Sequence, residues 1–167
     1  SSVTDMSYMF RYSTFYQYIG NWNVSSVTNM SYMFYGKQSF NSFGFNNWDV
    51  SSVTDMSFMF AFSLFSPQNG GMIEAWDVSS VTDMESMFTG AIYADMDIGD
   101  WDVSSVTDMR QMFSGATRFN QYIGDWDVSS VRDMWGMFSA KNLFNQDIGN
   151  WDVSSVISMG YMFFSAR

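Results

Sequence analysis

Cysteine and histidine are both absent from the 167 residues. Their absence removes disulfides, zinc held by thiolate or imidazole, cysteine or serine–histidine nucleophilic catalysis, and the histidine switch that operates near neutral pH. Positive charge is scarce. Seven Lys and Arg stand against 17 Asp and Glu, giving a net charge of -10, so the chain cannot neutralise a run of phosphates and no nucleic-acid partner is expected. Glutamate occurs only at Glu74 and Glu85, no Gly-rich phosphate loop is present, and the Ser-Ser pairs have no histidine or suitably placed lysine to act as base. No enzyme and no cofactor are expected. No stretch reaches the roughly 18 consecutive apolar residues of a membrane-spanning helix, and no basic-then-apolar signal segment opens the chain. These residues are therefore expected to make no membrane contact. Proline occurs once, at Pro67, within Ser66-Pro67-Gln68-Asn69-Gly70-Gly71, which reads as a protruding turn.

What is present is apolar and periodic. Aromatics make up 20% and Met counts 16, enough apolar surface to offset the entropy of ordering, which excludes a disordered chain. Trp22, Trp48, Trp76, Trp101, Trp126 and Trp151 lie 26, 28, 25, 25 and 25 residues apart, each opening the phrase W-[DN]-V-S-S-V-x-x-M-x-x-M-F. Residues 1–10 are a seventh copy without its Trp. The spacers carry F-N-Q-x-I-G-[DN], as at Phe119 to Asp125 and Phe144 to Asn150. Both ends fall inside a repeat, so residues 1–167 are expected to be a single repeat domain cut from a longer array.

A unit of about 25 residues cannot bury its own apolar face, but stacked units bury a continuous core, which predicts a solenoid. Trp151 and Val153 alternate with Asn150, Asp152 and Ser154, the period-two pattern of a short strand. Met159, Met162 and Phe163 follow at i, i+3 and i+4, the spacing of one buried helical face. Thr-Asp or Thr-Asn before this segment reads as a helix N-cap, and Gly36, Gly90 and Gly115 just past it read as C-caps. The expected fold is thus an α/β solenoid of about seven coils, each a short parallel-sheet strand plus a short helix, cored by Trp, Met, Phe and Ile ladders.

The phrase W-D-V-S-S-V-T-D-M-x-x-M-F joined to F-N-Q-x-I-G-N resembles the repeat of bacterial surface proteins of the BspA-like and mycoplasma lipoprotein type. The resemblance covers the whole chain, with Thr4-Asp5 giving way to Arg132-Asp133 and Ile157-Ser158 toward the end. It implies a leucine-rich-repeat-like, right-handed solenoid on a cell-surface or secreted protein that serves adhesion or partner recognition. It carries over no catalytic residues.

Two sets of residues are candidates for function. Asp49, Asp77, Asp102, Asp127 and Asp152, with Asn23 in the same column, each follow a Trp and face outward. Calcium, which takes six to eight oxygens, is one reading of such a column; local hydrogen bonding to backbone amides is the other. A second column, Asp5, Asn29, Asp55, Asp83, Asp108 and Asp133, is assigned to capping. The other set is the positions that vary from copy to copy. Tyr8, Tyr12, Tyr32, Tyr35, Phe58, Phe62, Arg110, Trp135 and Tyr161 are residue types enriched in binding surfaces, and they either line a binding rim or fold back on neighbouring coils.

The expected function is non-enzymatic recognition or adhesion: a rigid rod making multivalent contact with a protein or glycan ligand on a host or neighbouring cell. Two alternatives stand beside it. One is a self-assembling rod or filament, associating through its open ends. The other is an ice- or mineral-surface binder using the column Thr4, Thr28, Thr54, Thr82 and Thr107, which Arg132 and Ile157 interrupt.

Overall fold

The structure, a computed structural model, describes residues 2–40, 43–68, 73–140 and 142–166. Seven coils stack in register. Their shared reference points are single-residue parallel bridges running Asp5, Asn29, Asp55, Asp83, Asp108, Asp133 and Ser158, one residue in each coil. From that column onward every second N–H crosses to the next coil. In the first coil Met6, Tyr8, Phe10 and Tyr12 donate to the carbonyls of Asn29, Ser31, Met33 and Tyr35 at 2.9–3.0 Å. The same four bonds recur at each junction, as far as Met134, Gly136, Phe138 and Ala140 donating to Ser158, Gly160, Met162 and Phe164.

The α/β expectation is overturned. Among the described residues the only helix is a single 3₁₀ turn, Phe45–Asn47, and no strand extends beyond an isolated bridge. Each coil is instead a succession of β-turns joined by irregular backbone. The Val-Ser-Ser-Val segments are turns in which the second Val N–H donates to the first Val carbonyl, as Val106 does to Val103 at 2.9 Å. Ile-Gly-Asp-Trp makes another, Trp126 donating to Ile123 at 3.2 Å, and Met-x-x-Met a third, Met112 donating to Met109 at 3.2 Å.

The physical reason lies in the backbone. The residue before the second Met is left-handed in every coil: Tyr8, Tyr32, Phe58, Ser86, Gln111, Gly136 and Tyr161 have φ between 53° and 65°. A left-handed residue ends a right-handed helix, and an N–H spent on the next coil cannot bond four residues back. The spacing i, i+3, i+4 therefore belongs here to overlapping turns. Gly36, Gly90 and Gly115 do have positive φ, but they form a second left-handed column with Tyr12, Phe62, Ala140 and Ser165 and cap no helix. Strand-like alternation survives only as orientation. Trp101 and Val103 are buried and Asp102 between them is exposed, yet they carry no ladder to the next coil. The leucine-rich-repeat-like geometry falls with the helix and the strand that define it.

The ladders expected for the core are present. Phe10, Phe34, Phe60, Phe88, Phe113, Phe138 and Phe163 stack nearly parallel at 5.5–5.8 Å along all seven coils. Trp48, Trp76, Trp101, Trp126 and Trp151 each donate the indole N–H to a carbonyl of the preceding coil at 2.9–3.2 Å. Each indole thus adds a hydrogen bond to its buried area, as Trp does when its polar end finds a partner. Of the protruding turn, residues 69–71 lie outside the described residues, and Ser66 is buried.

Candidate functional site

The two left-handed columns set the outer face of the turn segment. Left-handed backbone favours glycine and penalises a side chain by roughly 1–2 kcal/mol, yet the first three coils place tyrosine or phenylalanine in the first column. The result is a ledge of rings. Tyr8 stacks on Tyr32 at 4.7 Å and Tyr32 on Phe58 at 4.5 Å, with interplanar angles of 6° and 8°. Beside them Tyr12, Tyr35 and Phe62 meet edge to face at 5.4 and 5.5 Å. Tyr12 and Phe62 are seated by the glycine one coil on: a Cβ at Gly36 would lie 2.3 Å from the Tyr12 ring, and one at Gly90 2.6 Å from Phe62. Tyr12 keeps 64% of its surface, Phe62 50% and Tyr8 49%, whereas Tyr32, Tyr35 and Phe58 are half-buried between neighbours. Burial raises the Tyr32 and Tyr35 hydroxyl pKa, and the Tyr12 hydroxyl adds to the shift at Tyr35.

Arg11 sits in the middle of the ledge. Its guanidinium carbon is 5.1–5.9 Å from the ring centroids of Tyr8, Tyr12, Tyr32 and Tyr35. Arg11 stands beside Tyr12 among the positions that vary from copy to copy, although the nine-residue candidate set does not include it. The available signal was its register: Arg11 occupies in the first coil the place that Tyr35 occupies in the second. Four of its six rings, Tyr8, Tyr12, Tyr32 and Tyr35, lie with Arg11 in the one part of the chain that is not acidic. Up to Trp48 there are two cations and one acid, Asp5; after it there are five cations and sixteen acids.

The remaining candidates separate from the ledge. Arg110 is not free for a ligand, because it bonds Asp108 at 2.8 Å and Glu85, one coil before it, at 2.9 Å. Hydrogen bonding to Asp108 raises its pKa, while burial raises that of Glu85 in spite of Arg110 beside it. Trp135 and Tyr161 form a second, smaller aromatic pair at 5.5 Å in the last two coils, with Phe164 edge-on to Tyr161. The nine residues thus fall into an N-terminal ledge of six, a charged seam and a C-terminal pair.

The carboxylates of the first acidic column are exposed but spend an oxygen on their own turns. Asp49, Asp77 and Asp102 each accept the backbone N–H of the serine two residues on at 3.0–3.1 Å and its hydroxyl at 2.6 Å; Asp127 and Asp152 accept the corresponding N–H at 3.0 Å. The serine bonds hold the Asp49, Asp102, Asp127 and Asp152 carboxyls below the usual range. Asp5, Asn29, Asp55, Asp83, Asp108 and Asp133 cap in the same way, but what they cap is the Met-x-x-Met turn rather than a helix. Asp83 differs in pKa, raised first by burial and then by Asp55 and Asp108. Among the described residues no group of three or more acidic side chains converges on a metal-sized site. The hydroxyls of Thr28, Thr54, Thr82 and Thr107 donate to the threonine carbonyl of the preceding coil at 3.1–3.2 Å, so their hydrogens are committed within the stack.

No curated protein and no solved structure matches the chain. A family profile described as "Mycoplasma protein of unknown function, DUF285" matches residues 1–69 and 61–167, which together span its whole length. The repeat phrase, the seven stacked coils it builds and this end-to-end match lead to one assignment: the chain belongs to the Mycoplasma protein family of unknown function DUF285.

Proposed function

We propose that the chain is a non-enzymatic recognition module of a cell-surface or secreted protein, binding a protein or glycan partner through the side chains that vary from coil to coil. The observation that carries this reading is the ledge. A fold that asks for left-handed residues at these positions is served by glycine at Gly136, yet it holds Tyr8, Tyr32 and Phe58 there, in the same stripe as Tyr12, Tyr35 and Phe62. Strained residues that fill no core space are where recognition is sought. The regular columns support the reading from the other side, since each conserves backbone geometry and leaves variation to the outer face.

The test is adhesion of beads coated with the chain to cultured cells and to purified extracellular proteins and glycans. The comparison is a variant carrying Tyr8→Ser, Tyr12→Ser and Phe62→Ser. The variant is expected to keep its cooperative thermal transition and to lose attachment to the level of bare beads. Attachment equal to the unsubstituted chain overturns the proposal.

A further inference from the structure

We infer that Arg11 and the four tyrosines around it bind an acidic glycan, with a sugar carboxylate on the guanidinium and sugar rings on the phenols; this deepens the recognition reading and rests on it. In a chain with 17 acids, Arg11 is exposed and unpaired: among the described residues the ion pairs are both made by Arg110, and no hydrogen bond uses the Arg11 side chain. Four ring centroids lie 5.1–5.9 Å from its guanidinium carbon, a cation–π setting that uses none of its N–H hydrogen bonds. That leaves its N–H fork to take a carboxylate in bidentate fashion. Tyr8 and Tyr12 add exposed ring surface, and the half-buried Tyr32 and Tyr35 add edges and hydroxyls, which matches a sugar ring's C–H surface and hydroxyl rim.

A peptide fits less well. The N–H groups of Tyr8, Phe10, Tyr12, Tyr32, Phe34 and Gly36 are all spent on the following coil, so the ledge offers a peptide none of these backbone donors. Rings stacked at 4.5–4.7 Å leave no gap between them for an apolar anchor.

The experiment titrates the intact chain with oligosaccharides of hyaluronan, polygalacturonate and polysialic acid, each beside its carboxyl-reduced form, with poly-glutamate and dextran sulfate as further probes. At least one carboxylated oligosaccharide is expected to bind. Its reduced form should bind about tenfold or more weakly, Arg11→Gln should reproduce that loss, and Arg11→Lys, a point charge without the fork, should recover only part of it. Unchanged thermal midpoints show that both variants are folded. Failure of all three polymers, equal binding of the reduced forms, or binding to poly-glutamate or dextran sulfate in their place overturns the inference. If bead adhesion still depends on the ledge in that case, the recognition reading stands and only the ligand class falls.

Discussion

Lys37 shows how much a single buried cation asks of this fold. Its ammonium donates to the carbonyls of Ser13, at 3.1 Å, and Phe15, and lies over the rings of Phe40 and Phe43, while the residue is fully buried. Burial lowers its pKa. A base whose folded pKa is depressed binds its proton more readily in the unfolded chain, so the penalty is full at neutral pH and is relieved as pH rises toward the ordinary lysine range. Lys37→Met has no such titration, and the other ionisable groups are common to both proteins. The stability of Lys37→Met relative to the unsubstituted chain is therefore expected to fall steadily from pH 7 toward alkaline pH. Urea unfolding at several pH values measures it; a constant difference would show that the lysine is effectively solvated. Neither the lysine's burial nor its aromatic surroundings could be read from the repeat, since the sequence puts Ser13, Ser63, Ala91, Ala116, Lys141 and Ala166 at the corresponding positions, most of them small. The Asp and Ser pairs, by contrast, were legible, because a carboxylate two residues before a serine N–H closes its turn locally.

At the scale of the element the unit is the turn, and what fixes each turn is the column it joins. Phe113 is fully buried and stacked on Phe88 and Phe138 at 5.8 and 5.7 Å, with Phe119 against it at 3.9 Å. Phe113→Ala is expected to cost about 3–5 kcal/mol, because the rigid neighbours on both sides cannot close the hole. Phe163, half exposed in the seventh coil, should cost less than half of that when replaced in the same way. Chemical denaturation of the two variants decides the comparison. Equal losses would mean that the column does not transmit packing along the stack. The ladder residues were readable in advance from period and hydropathy, and so was their inward direction. Helix and strand were not, because Met-x-x-Met-Phe places the same three side chains inward on a helix as on overlapping turns.

Across the whole molecule, charge is distributed unevenly over a stack whose coils touch only their neighbours. Five cations and sixteen acids follow Trp48, and Asp102, Asp127 and Asp152 repel along their column. Raising ionic strength from about 0.01 to about 0.15 M shortens the screening length from about 30 to about 8 Å and weakens that repulsion. The thermal midpoint is expected to rise over this range, as differential scanning calorimetry would register. A fall would show that the Glu85–Arg110–Asp108 seam outweighs the columns.

The sequence by itself determined the period, the number of coils and the identity of the core ladders, because each of these depends only on the order of apolar and polar residues along the chain. The backbone conformation and the composition of the ledge were decided by the tertiary structure. Left-handed φ at Tyr8, Tyr32 and Phe58 is stabilised by N–H···O bonds to residues one period away, such as Tyr8 to Ser31 and Tyr32 to Ser57. Arg11 meets Tyr32 and Tyr35 only because the second coil lands directly on the first. Bonds between residues so far apart in the chain leave no mark in a local pattern, which is why a helix was expected where the molecule builds turns.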